Sequence, residues 1–272
     1  MTKKISVIMG IYNCADTLPF AIESILKQTY ENWELILCDD CSTDGRTYEL
    51  AKQYEAQYPQ KIIVIRNQCN KKLAYSLNQC LKKATGTYVA RMDADDLSVP
   101  TRFERQVDYL EKHPDVNLVG CSMQRFNREQ GNIDVIYKPE HPDKYTMRYD
   151  LPFNHATIMT YKYVYERLGG YTVSKRTERG QDYDLWFRFF KEGFSGDNLT
   201  EPLYRVLEDK AAIRRRTAKV RFRTLQTTYY GFRLLNFPSW WLLRPTIITI
   251  MKSLTPYFII DRYRCFQGKH RS

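Results

Sequence analysis

Three aspartates, Asp93, Asp95 and Asp96, stand close together directly after the strand-like run at residues 88–90. Carboxylates this close repel one another and raise one another's pKa unless they share a cation. Hard oxygen ligands suit Mg²⁺ or Mn²⁺, and Mg²⁺ is usually held by one or two carboxylates together with phosphate oxygens of a substrate. The cluster therefore predicts a site for a divalent cation in complex with a diphosphate.

A structural explanation of the same aspartates is that they cap the helix expected to start near Pro100. Ser98 is the better candidate for that cap, because it stands closer to the expected helix start. Capping one helix needs no second or third carboxylate. The metal interpretation is therefore favoured, although short aspartate-rich turns are common.

The size and composition of the chain predict one large α/β domain, or such a domain with an appendage. The 272 residues are 43% hydrophobic, enough to bury a core without disulfide staples. The seven cysteines are scattered and show no zinc-type spacing, so they are expected to be reduced thiols of a cytosolic protein. The N-terminus shows no signal-peptide pattern, which also favours the cytoplasm.

The aspartates are expected at the end of the fourth strand of a parallel sheet. Strand-like and helical patterns alternate to about residue 113, which predicts βαβ units, and ligands of such sheets bind beyond the carboxyl ends of the strands. Strands are predicted at 5–9, 33–38, 61–66, 87–92, 116–126, 132–137, 156–161 and 203–207, and a later helix at 182–192.

The excess positive charge lies in the last quarter of the chain. Of the net charge of +11, residues 205–272 contribute +12 and the rest about −1. Apolar and aromatic residues in this part are interrupted by prolines and cations, so no run reaches the roughly 20 residues needed to span a bilayer. We expect 210–272 to form basic amphipathic helices that lie on an anionic membrane surface. The alternative is that they pack on the domain and their charges are only solvated.

Four motifs in this order resemble the family 2 glycosyltransferases of the GT-A fold, closest to bacterial enzymes that build exopolysaccharide, capsule or wall glycans. They are SVIMGIYN, WELILCDDCSTDGR, NKKLAYSLN and ATGTYVARMDADD. The resemblance spans residue 5 to about residue 207. It implies a GT-A domain over 1–209, with a nucleotide-binding half at about 1–115 and an acceptor half at about 116–209, followed by the extension over 210–272.

The resemblance also implies a set of donor and metal contacts. Asp95 is implied as the main metal ligand, with Mn²⁺ or Mg²⁺ as the ion, and Asp93 as a contact of both the ribose and the metal. Asp40 would accept a hydrogen bond from the uracil edge. The other implied nucleotide contacts are Ile11, Tyr12, Asn13, Lys72 and Arg91. Asp39 and Asp40 can instead be ordinary turn residues.

Asp182 is the candidate general base. An inverting transferase needs one base to take the proton of the acceptor hydroxyl as its oxygen attacks the anomeric carbon. The segment ERGQDYDLWFRFFKEG resembles the family's Glu-Asp motif, and Gln181 replaces the usual glutamate. The alternative is that Asp182 is the helix N-cap.

Further contacts with acceptor or diphosphate are expected from His155, Gln181 and Trp186. His155 precedes a predicted strand, where a lone histidine is often structural. Most aromatic residues at 186–190 are expected in the core, with one or two supporting the acceptor.

The function implied is the inverting transfer of a hexose or N-acetylhexosamine from a nucleotide sugar, expected to be a UDP-sugar, to a lipid-linked glycan acceptor. The enzyme is expected in the cytoplasm, peripheral on the inner face of the cell membrane. Two other functions stay open: a haloacid-dehalogenase-like phosphatase, and a non-catalytic binding module on a degenerate transferase fold. Nucleic acid is not an expected partner. The sequence does not identify the sugar, the acceptor or the polymer.

Overall fold

The computed structural model describes residues 2–127, 131–208 and 217–254. Within these ranges nine strands form one sheet: β1 (Ile5–Ile11), β2 (Trp33–Asp39), β3 (Ile62–Arg66), β4 (Tyr88–Arg91), β5 (Leu97–Ser98), β6 (Leu118–Asn127), β7 (Gly131–Ile136), β8 (Met159–Tyr161) and β9 (Gly196–Leu207). The helices are α1 (Leu18–Leu26), α2 (Thr47–Gln57), α3 (Leu73–Lys83), α4 (Arg102–Lys112), α5 (Lys162–Leu168), α6 (Gln181–Lys191), α7 (Ala218–Leu234) and α8 (Leu243–Leu254). Short 3₁₀ turns lie at Lys144–Arg148, His155–Thr157 and Ser239–Leu242.

The first four strands form the parallel half of the sheet, in the order β3-β2-β1-β4. The chain adds β2 and β3 on one side of β1 and then crosses to add β4 on the other side. Ligands of open α/β sheets bind at such a reversal of strand order. The predicted strands of this half are confirmed, with ends that differ by one or two residues.

The second half adds antiparallel pairs. Strand β8 pairs antiparallel with both β4 and β6, while β9 runs parallel to β6 and pairs with β5. Strand β5 was not predicted, because two residues are too few to show an alternating pattern. Strand β9 begins at Gly196, seven residues before the predicted start at 203. Its first part is polar and gave no strand pattern, but it pairs with β6, as does the part that follows the irregularity in the pairing.

Two apolar clusters cover the two faces of the sheet. One includes α1 and α4, and the other includes α3, α6 and α7. In the second cluster Trp186, Phe187 and Phe189 are almost fully buried beside Phe232 of α7. The expectation that most aromatics of α6 are in the core is therefore confirmed. Trp186 is 0% exposed, which argues against a direct contact with the acceptor, and the expected contact stays a prediction.

The basic C-terminal region predicted over 210–272 is described only over 217–254. There α7 packs on α6, and a 3₁₀ turn connects it to α8. Residues 210–216 and 255–272 lie outside the described ranges. None of the described helices is both long and apolar enough to cross a bilayer.

Candidate active site

The loops that follow β1 and β2 are joined by Asn13. Its side-chain oxygen accepts hydrogen bonds from the backbone N–H groups of Thr43 (2.8 Å) and Asp44 (3.3 Å), and its own N–H donates to Ser42 Oγ (3.0 Å). These bonds hold Asn13 at a positive φ of 48°, which asparagine tolerates better than most residues. Asn13 therefore braces the loop, while Tyr12 beside it is 45% exposed.

Asp40 organises the loop in front of α3. Its buried carboxylate accepts hydrogen bonds from Asn67 Nδ2 (2.8 Å) and from the backbone N–H groups of Lys71 (2.7 Å) and Lys72 (2.8 Å). Lys72 adopts a φ of 71°, a strained conformation for a residue with a side chain, and the bond to Asp40 stabilises it. Lys72 is exposed at the entrance to α3.

The sequence left open that Asp39 and Asp40 are ordinary turn residues. The structure supports that interpretation for Asp39 but not for Asp40. Asp39 accepts hydrogen bonds from the backbone and the hydroxyl of Ser42, which closes the local turn, and pairs with Arg66 at 2.9 Å. Asp40 bonds to a segment about thirty residues further along the chain. The expected role of Asp40 in base recognition stays a prediction.

The three aspartates after β4 lie together, with one oxygen from each within 4.8 Å of the others. Capping of the next helix is wrong as their explanation, because α4 begins at Arg102 and has Thr101 as its N-cap. The donor set consists of hard carboxylate oxygens, and the crowding of negative charge is what a divalent cation relieves. These residues therefore fit Mg²⁺ or Mn²⁺.

The cluster divides into a buried carboxylate and two more accessible ones. Asp96 is 3% exposed and accepts hydrogen bonds from the Tyr204 hydroxyl and the Leu207 N–H, both at 2.9 Å. Burial, and then the charges of Asp93 and Asp95, hold the pKa of Asp96 well above its usual range. Asp96 thus ties β9 to the cluster, while Asp93 is half-buried and Asp95 is exposed.

Arg91 lies beneath this cluster. Its guanidinium is 2% exposed and forms an ion pair with Asp93. Burial opposes its charge, but the neighbouring Asp93 raises the pKa of Arg91, so it remains a cation. Arg91 Nε has no hydrogen-bond partner among the described residues. The ion pair supports an electrostatic role for Arg91 beneath the aspartate cluster, and its expected contact with the nucleotide stays a prediction.

Asp182 lies at the start of α6 but does not cap it. The N-cap is Gly180, and Asp182 Oδ1 accepts from the N–H of the next residue, Tyr183, at 2.8 Å. The helix-cap explanation is therefore wrong. Burial raises the pKa of the Asp182 carboxyl, while Arg91 lowers it and Asp93 raises it. Asp182 thus interacts electrostatically with both the buried cation and the aspartate cluster, and a raised pKa suits a general base.

The neighbours of Asp182 have different roles. Gln181 Oε1 accepts a hydrogen bond from the Gly180 N–H at 3.2 Å, so the side chain folds back on the helix start. Asp184 pairs with Arg176 (2.7 Å) and Arg188 (2.9 Å), and the pKa of its carboxyl is lowered despite burial. Asp184 is therefore a structural anion, whereas Asp182 has no ion pair among the described contacts.

His155 is held by two tyrosines. Its Nε2 lies 2.8 Å from the Tyr171 hydroxyl, which lies 2.7 Å from the Tyr165 hydroxyl. Burial, and then the charge of Arg91, lower the pKa of His155 well below its usual value, so the imidazole is neutral. Trp186 packs edge-on against the His155 ring at 6.0 Å and supports it from the core.

Some residues that build the site were not anticipated from the sequence. Arg102 is 0% exposed and donates to the Arg91 carbonyl oxygen at 2.9 Å, while Tyr204 bonds to the aspartate cluster from β9. Tyr171 orients His155. The sequence held no signal for Tyr171 or Tyr204, because their partners are distant in the chain. Arg102 falls on the apolar side of the amphipathic helix α4, and this position could have indicated from the sequence that it is buried.

The fold and site define a nucleotide-sugar transferase of the GT-A type, with a carboxylate cluster after the fourth strand and a separate aspartate that has a raised pKa. The family model described as "Glycosyl transferase family 2" matches residues 6–168. The chain belongs to the family 2 glycosyltransferases, which confirms the resemblance seen in the sequence. A haloacid-dehalogenase-like phosphatase is thereby no longer supported.

Two curated relatives and one solved structure illustrate the similarity. The Bacillus subtilis (strain 168) protein named "Putative glycosyltransferase EpsE" is 48% identical over 263 residues, covering 96% of this chain and 92% of EpsE. The Escherichia coli UDP-Glc:alpha-D-GlcNAc-diphosphoundecaprenol beta-1,3-glucosyltransferase WfaP is 30% identical over 74% of this chain and 77% of its own length. The mannosyltransferase PcManGT from Pyrobaculum calidifontis, in complex with GDP-Man and Mn²⁺, superposes with a TM-score of 0.63 at 18% identity. It covers 98% of this chain and 81% of its own, and shows the shared fold.

The division of the aspartate cluster gives a matched pair of variants. We expect Asp95→Ala to remove Mn²⁺-dependent binding of UDP and to change the free energy of unfolding by less than about 0.5 kcal/mol, because the side chain is exposed. Asp96→Ala leaves the Tyr204 hydroxyl and the Leu207 N–H without their acceptor, so the free energy of unfolding should fall by roughly 1–3 kcal/mol. Calorimetric titration and denaturant unfolding measure both effects. Unchanged metal-dependent UDP affinity in Asp95→Ala would contradict the assignment.

Proposed function

We propose that this glycosyltransferase moves a sugar, with inversion, from a UDP-sugar to a hydroxyl of a lipid-linked glycan in bacterial polysaccharide biosynthesis. One observation carries the proposal: Asp182 has a raised pKa and interacts electrostatically with Arg91 and Asp93. A candidate base and candidate metal ligands are thus brought close together from positions about ninety residues apart.

The donor is proposed to bind at the carboxyl ends of β1, β2 and β4. The uracil would lie near Asp40, with Lys72 at the entrance, and the exposed ring of Tyr12 would contact the nucleoside. Ile11 and Asn13 fix the course of that loop from below, since Ile11 is 1% exposed and Asn13 braces the next loop. The pyrophosphate would then reach Asp93 and Asp95.

In the proposed reaction Asp182 accepts the proton of the acceptor hydroxyl. The acceptor oxygen forms a bond to the anomeric carbon, and the bond from that carbon to the diphosphate oxygen breaks, so the nucleoside diphosphate leaves with the electron pair. A Mg²⁺ or Mn²⁺ ion bound by Asp93 and Asp95 would neutralise charge on the leaving diphosphate. Arg91 pairs with Asp93, and neutral His155 would donate a hydrogen bond to the diphosphate or the acceptor.

The proposed acceptor and polymer follow from the relatives. WfaP is named for transfer to a sugar on diphosphoundecaprenol, and another relative, WbnJ of E. coli, 32% identical over 74% of this chain, is named for O-antigen biosynthesis. A lipid-linked acceptor would require the enzyme to work at a membrane surface. The donor sugar is left open between hexose and N-acetylhexosamine.

The described C-terminal region offers a surface for such a membrane. Trp240, Leu243 and Ile247 are each more than half exposed, and Arg148 and Arg244 lie beside them. The guanidinium of Arg148 stacks on Trp241 at 4.2 Å, and that of Arg244 on Tyr149 at 4.9 Å. Exposed apolar side chains mixed with cations suit an interfacial helix on anionic lipid. A peripheral position on the cytoplasmic face of the membrane is therefore part of the proposal.

Asp182→Asn tests the base. Asparagine keeps the size and the hydrogen bond to the Tyr183 N–H but accepts no proton, so we expect turnover to fall roughly 10²- to 10⁴-fold. UDP affinity and melting temperature should stay as in the wild type. The rate is measured as UDP release from the UDP-sugar that the wild-type chain uses fastest. Near-normal turnover would show that the base lies elsewhere and would favour a non-catalytic role for Asp182.

The pH dependence of turnover tests the environment of the base. Burial raises the pKa of Asp182, so the carboxyl is protonated and inactive at pH values where an ordinary aspartate is ionised. Turnover at saturating donor and metal should therefore fall, as the pH is lowered, at a pH above the ordinary aspartate pKa of about 3.9. UDP affinity measured over the same pH range is the control, and a fall in turnover that merely follows that affinity would contradict the assignment.

Replacing exposed apolar residues of the C-terminal surface tests membrane contact. We expect the double variant Leu243→Ser, Ile247→Ser to bind at least about 10-fold more weakly to vesicles of equal parts phosphatidylglycerol and phosphatidylcholine, because two apolar side chains no longer enter the interface. Binding of the wild-type chain should weaken with added salt. Ile133→Ser, on β7 and also exposed, is the control. Equal sedimentation of all three proteins with the vesicles would refute the proposed surface.

A further inference from the structure

Helix α7 packs tightly on the helix that carries the candidate base. A Cβ atom placed on Gly231 of α7 would lie 2.1 Å from the ring of Phe187 on α6, so only glycine permits this approach. Tyr183, the residue after Asp182, also interacts with the hydroxyl of Thr228 on α7. The helix that carries the candidate base therefore rests on α7, and both helices lie beyond the residues matched by the family model.

The loop before α6 is also attached to α7. Glu178 forms an ion pair with Arg223 of α7, and the two side chains are 33% and 21% exposed. Two residues earlier, the guanidinium of Arg176 stacks on the ring of Tyr230 at 4.9 Å, and its carbonyl oxygen lies 3.5 Å from Thr227 Oγ1. Helix α7 thus holds the loop through both charge and aromatic contact.

Glu178 is the last ionic anchor before the base among the described contacts. Only three residues separate it from Asp182: Arg179 is exposed, Gly180 has no side chain, and Gln181 bonds only to the adjacent backbone. Because residues 179–181 have so few contacts of their own, the position of this short segment is set by its two ends. One end is the Glu178 ion pair, and the other is α6 itself.

We propose that Arg223 is a positioning residue for the proposed transfer reaction, because its ion pair with Glu178 fixes the chain that leads to Asp182. This inference rests on the assignment of Asp182 as the base. Helix α7 then belongs to the catalytic apparatus as well as to the C-terminal region. A displacement of the base by about 1 Å costs up to roughly 10²-fold in rate, so the loss of a half-buried anchor four residues away is measurable.

The test uses the full chain with four changes. Arg223→Met keeps the apolar stem and removes the charge, and Glu178→Gln removes the charge from the other partner. The double variant Glu178→Arg, Arg223→Glu restores an ion pair with the charges exchanged. Arg233→Met is the matched control, because Arg233 lies on the exposed side of the same helix and contacts only Tyr229 among the described residues.

Arg223→Met and Glu178→Gln should each lower kcat for UDP release roughly 10- to 100-fold. The KM of the donor, the UDP affinity and the melting temperature should stay close to wild type. The fall in turnover at low pH should also move, because a displaced Asp182 is solvated differently. The exchanged pair should recover most of kcat, and Arg233→Met should have full activity. If α7 has only a structural role, Arg223→Met and Glu178→Gln would change the melting temperature, and the kcat of the protein that remains folded would be unchanged.

The outcomes separate the two proposals. If Asp182→Asn is inactive while Arg223→Met and Glu178→Gln have full kcat, the positioning role is refuted and the base assignment stands. If Asp182→Asn retains turnover, the base assignment fails first. Failure of the exchanged pair to recover any kcat while the single variants are impaired would also count against positioning by this ion pair.

Discussion

The buried charge of Arg91 is the interaction on which the site depends. A guanidinium that is 2% exposed costs several kcal/mol to bury unless an anion compensates it, and Asp93 is that anion. The same cation lowers the pKa of Asp182 and that of His155. One buried charge thus pairs with Asp93, limits the rise in the pKa of Asp182 that burial causes, and adds to the effect of burial in lowering the pKa of His155.

Buried residues of α4 help to hold Arg91 in place. Arg102 of α4, itself fully buried, donates to the Arg91 carbonyl oxygen, and its neighbour Gln106 donates to the Thr157 carbonyl oxygen at 2.8 Å. These bonds connect the parallel half of the sheet, which carries the nucleotide loops, to the antiparallel half that carries His155. Buried side chains of α4 therefore join the two halves of the sheet, because they donate hydrogen bonds to the carbonyl oxygens of Arg91 and Thr157.

Helix α7 packs on α6, and both helices lie beyond the residues that the family model matches. Phe232 and Gly231 of α7 pack against Phe187, so α7 shares its apolar core with α6. The next helix, α8, is apolar and exposed, and is the surface proposed to meet the membrane. Because α7 contacts both α8 and α6, it connects the proposed membrane surface to the helix that carries the proposed base.

The sequence by itself determined the strands β1 to β4, the α/β class, the family, and the candidate residues Asp93, Asp95 and Asp182, because these depend on local periodicity and short motifs. Tertiary structure decided which aspartates are accessible. Asp96 is buried by Tyr204, 108 residues away, and Trp186 lies in the core beneath His155. Local patterns carry no information about such distant partners. Only the folded chain shows that Gly180, and not Asp182, is the N-cap of α6, and that Asp184 rather than Asp182 is ion-paired with Arg176 and Arg188.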